Sequence, residues 1–196
     1  MRITPVPHGI DLGVSTLPRT PGLHMSTCYN DFYCDLEPKR FDRHSAPDPL
    51  KLEAGLALES VLEEGLKARM TERPGEFVEP EHGIIYSPDL IIFNGETRLG
   101  EIKLTWMSSR EVPREEAHSF PEKFSKWFTQ MKLYARCLDT PHARLLAFFV
   151  NGLYDRGRGG GRPELLAWDI LFTKRELDDE WRTIMNHSKR KGLLSS

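Results

Sequence analysis

The sequence has few cysteines, and their spacing offers no framework for a metal or for a set of disulfides. Its 196 residues include three cysteines, Cys28, Cys34 and Cys137, and no CxxC pair. Structural zinc sites and iron–sulfur clusters usually draw several cysteines into one set of four ligands. The cysteine pattern therefore argues against both kinds of centre, and we expect three ordinary thiols.

Long apolar runs are absent as well. The chain contains no stretch of about 18 apolar residues, the length that a membrane-spanning helix needs. Its first eight residues, Met1 to His8, lack the continuous apolar segment of a signal peptide. We therefore expect no membrane association and a cytoplasmic location, which for a viral protein would be the cytoplasm of the host cell.

The chain also lacks a strong charge of either sign. Its 27 lysines and arginines nearly balance 29 acidic residues, and the formal net charge is −2. A strongly basic chain would indicate a nucleic-acid partner, and this balance does not. A neutral total can nevertheless contain a local basic groove beside an acidic site. The length favours one domain with a substantial hydrophobic core.

The predicted elements follow the order α-βββ-α-β-β-α, which describes an α/β fold with a mixed central sheet and helices on its faces. Residues 1–50 are rich in proline and predict an irregular N-terminal arm packed on the domain, with one helix inside 26–40. The domain itself spans 51–187, and 188–196 form a basic tail. Further helices are predicted at 50–70, 121–138 and 173–187. Strands are predicted at about 82–86, 88–93, 97–104, 143–150 and 165–172.

The helix predicted at 50–70 carries a carboxylate on its apolar stripe. At about 100° per residue, one side of this helix collects Leu52, Leu56, Leu62, Leu66 and Met70. Glu59 falls inside that stripe and Glu63 lies near it. A carboxylate on an apolar face is costly unless it has a partner. Two interpretations stay open. Either the helix register is shifted or its edge is in contact with water, or the carboxylate binds metal or transfers a proton.

One predicted hairpin carries the strongest chemical signal in the chain. Asp89 lies near the start of its first strand, and Glu101-Ile102-Lys103 lies on the second, where Glu101 is twelve positions after Asp89. Because successive strand residues alternate between faces, Glu101 and Lys103 share one face and Ile102 takes the other. Asn94-Gly95 is a typical two-residue turn, but that turn would put Asp89 out of reach. We predict instead a three-residue loop, 94–96, or a β-bulge, because either would place Asp89 opposite Glu101.

Two carboxylates beside a lysine form a compact site for a divalent cation and a phosphate. Mg²⁺ prefers oxygen ligands and commonly takes one or two carboxylates together with a substrate phosphate. Asp89 and Glu101 can supply the carboxylates, and the backbone carbonyl of Ile102 another oxygen. Lys103 can then hold the attacking water or neutralise charge that develops on the phosphate. The alternative is a surface hairpin with an ordinary Glu–Lys pair.

A second polar pair lies on the helix predicted at 121–138. Gln130 and Tyr134 are one helical turn apart on the flank of its apolar stripe, so they present their side chains together. The apolar stripe itself consists of Phe124, Trp127, Phe128, Met131, Ala135 and Leu138. The strand pair is thus followed along the chain by a helix that can face it with an amide and a phenol.

Taken together, these motifs resemble the PD-(D/E)XK nuclease superfamily. Pro88-Asp89 and Glu101-Ile102-Lys103 match its signature, and its αβββαβ core agrees with the elements predicted for 50–150. The stretch 130–134 resembles the QxxxY motif of the RecB-like exonuclease branch, which includes phage recombination exonucleases and CRISPR-associated exonucleases. Gly55 with Glu59 looks like the first motif of that branch.

The resemblance implies hydrolysis of DNA phosphodiester bonds with one or two Mg²⁺ or Mn²⁺ ions. The resemblance assigns metal binding to Asp89 and Glu101, with assistance from Glu59. It assigns catalysis to Lys103 and the positioning of DNA or of the lysine to Gln130 and Tyr134. The four cysteines that hold an iron–sulfur cluster in some members are missing, so no cluster is expected.

The implied substrate is DNA, and the role allows a recombination, repair or replication protein as a partner. An endonuclease of the same superfamily and a nuclease fold that binds nucleic acid without cutting remain the alternatives.

Four further residues are candidate DNA contacts: Arg156, Arg158, Arg162 and Trp106. The arginines belong to a glycine-rich loop at 151–163, which is either simply solvated or ordered by phosphate. Trp106 directly follows the strand of Lys103 and either packs at the edge of the core or stacks on a base. Among the seven histidines no HxxxH or HxH pair occurs, and only His82 lies next to the strands of the site.

Overall fold

The computed structural model describes residues 19–43, 48–66, 71–72, 74–93, 95–115, 117–153 and 161–194. Within this part, the helices are α1 (Met25–Leu36), α2 (Pro49–Leu66), α3 (Ser125–Cys137) and α4 (Lys174–Arg190). The strands are β1 (Thr71–Glu72), β2 (Phe77–Val78), β3 (Ile85–Tyr86), β4 (Leu90–Phe93), β5 (Thr97–Thr105), β6 (His142–Phe149) and β7 (Glu164–Leu171). None of the described helices is long and apolar enough to cross a membrane.

Five of these strands form one mixed sheet in the order β1-β4-β5-β6-β7, and β2 and β3 form a separate small hairpin. The β4–β5 and β6–β7 pairs are antiparallel, whereas β5 and β6 are parallel. A parallel pair needs a crossover between its strands, and the segment that contains α3 provides it. The predicted α/β class with a mixed sheet between helices and an α-β-β-β-α-β core is confirmed.

The register of β4 against β5 matches the predicted three-residue loop and not the two-residue turn at Asn94-Gly95. Phe93 pairs with Thr97 and Leu90 with Gly100, so three positions separate the paired strands. Asn94 itself lies outside the described residues. The same register, continued by one residue, places Asp89 opposite Glu101. The predicted three-residue connection is therefore confirmed, and the sheet brings the two acidic positions together.

Each face of the sheet is covered by a different set of helices. On one face, α1, α3 and α4 build the main core around fully buried residues: Met25, Leu99, Met131, Leu133, Leu145, Phe149 and Ile184. On the other face, α2 covers a smaller cluster of Leu90, Ile102 and Leu146. Two unequal layers result, and the central strand β5 contributes to both.

The packing face of α2 differs from the predicted stripe. Leu58, which lies outside that stripe, packs with Leu62 against the sheet, while Leu52 is 38% exposed. The sheet offers α2 only the small cluster on β4, β5 and β6, so one pair of leucines a turn apart suffices to cover it. Met70 and the side chains of Glu63 and Leu66 lie outside the described residues.

The helix predicted inside 26–40 is α1, and it packs into the main core. Met25, Cys28, Tyr29 and Tyr33 of α1 are buried, and the helix packs against both α3 and α4. Nε2 of His187 on α4 lies 2.8 Å from a carboxylate oxygen of Asp31 on α1. Residues 1–18, which would complete the predicted arm, are outside the described residues.

Several predicted element boundaries need correction. The helix predicted at 121–138 consists of a 3₁₀ turn, Glu122–Phe124, followed by α3, and the strand predicted at 88–93 begins at Leu90. Strand 82–86 shrinks to Ile85–Tyr86, because 79–82 form a turn in which the Glu79 carboxylate accepts the backbone N–H groups of Glu81 at 2.9 Å and His82 at 2.8 Å. The last helix continues to Arg190, three residues beyond the predicted end at 187. Leu194 is buried in the main core, so the described part of the predicted basic tail packs on the domain.

Candidate active site

The predicted strand-pair residues meet α1 and α3 at one place on the larger face of the sheet. Ile102 is part of the cluster under α2, so its neighbours Glu101 and Lys103 point to the opposite layer. Glu101 is completely buried there, and Lys103 is mostly buried. The alternation predicted for this strand is confirmed.

Asp89 is attached to β5 by its own side chain. Its Oδ2 atom accepts the backbone N–H of Ile102 at a distance of 2.7 Å. Asp89 directly precedes β4, so its carboxylate engages a backbone group on the neighbouring strand just before the ladder begins. This hydrogen bond holds the Asp89 carboxylate next to Glu101, and the negative charge of Asp89 acts on Glu101.

Glu101 is the most unusual group of the site. Its Oε1 atom contacts the ammonium of Lys103, while Oε2 accepts no hydrogen bond from the residues that the structure describes. Burial, followed by the charge of Asp89, raises the pKa of Glu101 to about 8 despite the opposing effect of Lys103. A buried carboxylate oxygen without a donor is costly, and a bound cation would compensate that cost.

Lys103 is held from two sides. Its Nζ atom contacts the Glu101 carboxylate and donates to Oε1 of Gln130 at 2.9 Å. The same Gln130 oxygen accepts the hydroxyl of Tyr29 at 3.2 Å. Burial alone would lower the pKa of Lys103, but the negative charges of Glu101 and Asp89 outweigh it and raise that pKa. The lysine is therefore a fixed ammonium group.

Tyr134 lies deeper than Gln130 on the same side of α3. It is 5% exposed, its ring lies 5.8 Å from that of Tyr86, and its phenol oxygen interacts with the backbone of Ser87. Burial raises its pKa well above the usual value, so it stays a neutral phenol. Because Ser87 lies two residues before Asp89, Tyr134 supports the segment that carries the first carboxylate.

The other two predicted metal ligands are Glu59 and the backbone carbonyl of Ile102. Glu59 is half-buried on α2, and its negative charge also raises the pKa of Glu101, after the larger effects of burial, Asp89 and Lys103. Its carboxylate is therefore within electrostatic range of the site. The backbone carbonyl of Ile102 belongs to a residue whose N–H is already bound by Asp89. For both groups, metal binding stays a prediction.

Two of the four candidate DNA contacts, Trp106 and Arg162, belong to the described residues. Trp106 follows β5 directly and is 37% exposed, with Nζ of Lys51 5.8 Å from its ring centre. Its backbone carbonyl accepts the side-chain amide of Asn151 at 2.9 Å, which fixes the end of the strand. Arg162 is exposed. Arg156 and Arg158 lie outside the described residues.

Sequence reasoning missed Tyr29. This residue belongs to α1, far along the chain from Gln130, yet its hydroxyl and Lys103 share one acceptor. Burial raises the pKa of Tyr29 to about 12, so it acts as a hydrogen-bond donor at any ordinary pH. The only local signal was a tyrosine pair one turn apart, Tyr29 and Tyr33, in a predicted helix. Nothing in that pattern identifies α3 as its partner.

Two other groups of acidic residues and histidine occur in the described chain. The first consists of Asp31, Asp35 and His187, and both of its carboxylates already have a cationic partner, since Arg43 lies 2.8 Å from Asp31 and Lys191 lies 2.6 Å from Asp35. The second consists of Glu79, Glu81 and His82. There the Glu79 carboxylate accepts two backbone N–H groups of its own turn. Both groups have a structural explanation.

The donor set at Asp89 and Glu101 fits a divalent cation that prefers oxygen. Two carboxylates lie next to each other, one of them with a buried oxygen that accepts no hydrogen bond from the described residues. Mg²⁺ and Mn²⁺ take carboxylates of this kind and keep part of their coordination for water or phosphate. Lys103 places a positive charge beside the same carboxylates.

Comparison with known proteins gives structural likeness only. No protein-family model and no curated protein matches the chain. The crystal structure of SSO0001 shares 14% identity over 87% of this chain and 78% of its own, with a TM-score of 0.49. LHK-Exo in complex with dAMP shares 12% identity over 87% of this chain and 89% of its own, with a TM-score of 0.47. An alkaline exonuclease, LHK-Exo from Laribacter hongkongensis, shares 13% identity over 84% and 80%, with a TM-score of 0.45. Likenesses this distant do not indicate what the present chain does.

Proposed function

We propose that this chain is a divalent-metal-dependent DNA nuclease that hydrolyses phosphodiester bonds as a RecB-like exonuclease acting on DNA ends. The observation that carries the proposal is the buried Glu101, which has one oxygen on Lys103 and one without a hydrogen bond from the described residues. Most buried polar atoms of side chains have a hydrogen-bond partner, and a bound cation would supply the partner that this oxygen lacks.

Asp89 and Glu101 would hold Mg²⁺ or Mn²⁺, with Glu59 and the carbonyl of Ile102 as further candidate ligands. When bound, such an ion lowers the pKa of a coordinated water and stabilises negative charge on a phosphate. The hydrogen bond from Ile102 N–H orients the Asp89 carboxylate before any ligand arrives. Because Asp89 is already tied to the backbone, little reorganisation would be needed on binding.

Lys103 acts in this proposal as a donor rather than as a base. Its raised pKa keeps the side chain an ammonium at neutral pH. Gln130 and Glu101 fix the ammonium, so it can donate a hydrogen bond to a phosphate oxygen or to the attacking water. An ammonium at this position neutralises the charge that builds up as the phosphodiester bond breaks.

The resemblance of 130–134 to the QxxxY motif favours the exonuclease branch. In this structure Gln130 contacts the lysine, and Tyr134 supports the segment before Asp89, so both positions act on the site from α3. Trp106 and Arg162, together with Arg156 and Arg158, are the candidate contacts to the DNA strand. A recombination, repair or replication protein remains a candidate partner.

The decisive experiment compares DNA substrates and metals with the whole purified chain. We expect linear DNA to be degraded in Mg²⁺ or Mn²⁺ but not in EDTA, and covalently closed circles to survive. Lys103→Ala, with an unchanged thermal unfolding curve, is expected to lose this activity. Cleavage of closed circles would indicate an endonuclease. Metal-independent binding without hydrolysis would indicate a nuclease fold that does not cut and would refute the proposed activity.

A further inference from the structure

The site-facing stripe of α3 continues beyond Gln130 to a lysine. Lys126, Gln130 and Tyr134 follow one another at intervals of four residues and therefore lie along one side of the helix. Each interval spans about 6 Å along the helix axis. Since Gln130 contacts Lys103, Lys126 is the next side chain along this stripe toward the start of α3.

Lys126 is a half-buried cation on an aromatic surface. Its Nζ atom lies 4.5 Å from the ring centre of Phe41, and the guanidinium carbon of Arg40 lies 5.0 Å from the same ring. A cation held against the face of a phenyl ring has a defined position, which distinguishes it from a freely moving surface lysine. Two cations thus share one ring near the junction of α1 and α3.

The charge of Lys126 is not neutralised by a carboxylate among the residues that the structure describes. Arg40 pairs with Glu37 at 3.0 Å and Lys123 with Glu111 at 2.8 Å, whereas the contact found for Lys126 is with Phe41. Burial, and then the positive charges of Lys103 and Arg40, lower the pKa of Lys126, although nearby Cys34 opposes this. Because Arg40 stands at the same ring, Lys126 belongs to a pair of neighbouring cations that can attract an anion.

We propose that Lys126 binds an internal backbone phosphate of the nucleic acid, next to the phosphate that reacts at the Asp89–Glu101–Lys103 site, and that Arg40 strengthens this attraction. The inference rests on the proposed function and extends it by a second phosphate position on α3. An ammonium on an aromatic ring recognises a phosphate by charge and does not read bases, so this contact is independent of sequence.

The test measures DNA binding as a function of salt. A fluorescently labelled oligonucleotide is titrated with the whole chain in EDTA, so that a metal-dependent enzyme binds without cutting. Lys126→Met keeps the apolar stem on Phe41 and removes the charge, and Lys126→Arg keeps the charge. The matched control is Lys174→Met, because Lys174 is 89% exposed, lies on α4 and pairs with Asp178 at 3.2 Å.

We expect Lys126→Met to weaken binding about three- to tenfold and to reduce the slope of log affinity against log salt by about one. Lys126→Arg should restore the slope, and Lys174→Met should leave it unchanged. A purely structural role of Lys126 would change thermal stability without changing the salt slope. An unchanged slope in Lys126→Met, with metal-dependent hydrolysis intact in the parent chain, overturns this inference alone. Failure of the parent chain both to bind and to cut DNA overturns the inference together with the proposed function.

Discussion

Oε1 of Gln130 lies 2.9 Å from Nζ of Lys103, and this contact joins α3 to the central strand of the sheet. Tyr29 donates to the same oxygen at 3.2 Å, so α1, α3 and β5 meet at one amide. The lysine is thus positioned by residues from three separate elements. The position of the Lys103 ammonium is therefore set by the residues around it and not by its sequence motif alone.

Replacing the residues that hold Lys103 should reduce the rate without abolishing it. We expect Gln130→Ala to lower the single-turnover rate of DNA hydrolysis about 10- to 100-fold, because the ammonium loses one of its two fixed contacts. Tyr29→Phe should have a smaller effect, since Gln130 still accepts from Lys103. The measurement is the single-turnover rate with the enzyme in excess over DNA, and thermal unfolding is the control. A Tyr29→Phe variant slower than Gln130→Ala would contradict this arrangement.

Removing the lysine itself should affect chemistry far more than metal binding. Lys103→Ala is expected to lower kcat by about 10²- to 10³-fold, the usual cost of losing one group that stabilises charge in the transition state. Calorimetric titration with Mn²⁺ should still show saturable binding that depends on Asp89. Loss of Mn²⁺ binding in Lys103→Ala, with the fold intact, would mean that the lysine organises the carboxylates instead.

The buried Glu101 should make the stability of the metal-free chain depend on pH. With a pKa of about 8 in the folded chain and an ordinary value of 4.5, Glu101 binds a proton in the folded state that the unfolded chain has already lost. The contribution of this group to stability is therefore complete below about pH 4.5 and falls as the pH rises to about 8. The slope is at most about 1.4 kcal/mol per pH unit. Denaturant unfolding in EDTA should show this fall, and Glu101→Gln should remove it.

Metal binding should remove the proton that the buried Glu101 carries in the metal-free chain. A cation needs the carboxylate form of Glu101, so binding must release its proton below about pH 8. Mn²⁺ affinity is therefore expected to rise with pH up to about 8, and higher metal concentrations should shift the pH midpoint of activity downward. Calorimetry in buffers of different ionisation enthalpy would count the protons released. Binding without proton release at pH 7 would be inconsistent with a protonated Glu101.

Gly100 should be intolerant of a side chain. A Cβ atom at this position would lie 2.8 Å from Cβ of Leu90, the residue with which Gly100 pairs across the two strands. We expect Gly100→Ala to destabilise the chain by about 1–3 kcal/mol and to weaken Mn²⁺ binding, because Asp89 and Glu101 lie immediately beside this pair. The control is Gly65→Ala on α2, which meets no atom within 4 Å. Equal stability of both variants would refute the close strand contact.

Much of the fold and the centre of the candidate site followed from local patterns in the sequence. Strand alternation separated Ile102 from Glu101 and Lys103, and the need to bring Asp89 opposite Glu101 predicted a turn longer than Asn94-Gly95 suggests. The i, i+4 spacing of Gln130 and Tyr134 placed them on one side of a helix. The strand alternation and the helical spacing depend on backbone geometry within one element, so sequence periodicity is enough to determine them, whereas the longer turn followed from the chemistry of the site.

Only the tertiary structure decided which helices meet at this strand pair. Tyr29 and Gln130 are 101 residues apart, and their contact arises because α1 and α3 pack their apolar faces against the same sheet. The face of α2 that covers Ile102, the buried oxygen of Glu101 and the position of Lys126 beside Phe41 have the same origin. A periodic pattern identifies the apolar face of a helix, but the partner of that face is selected by packing of the whole chain. The sequence by itself determined the acidic pair, Asp89 and Glu101, and the neighbouring Lys103. The packing of the helices on the sheet determined how deeply these side chains are buried. Their protonation and their contacts depend on that burial.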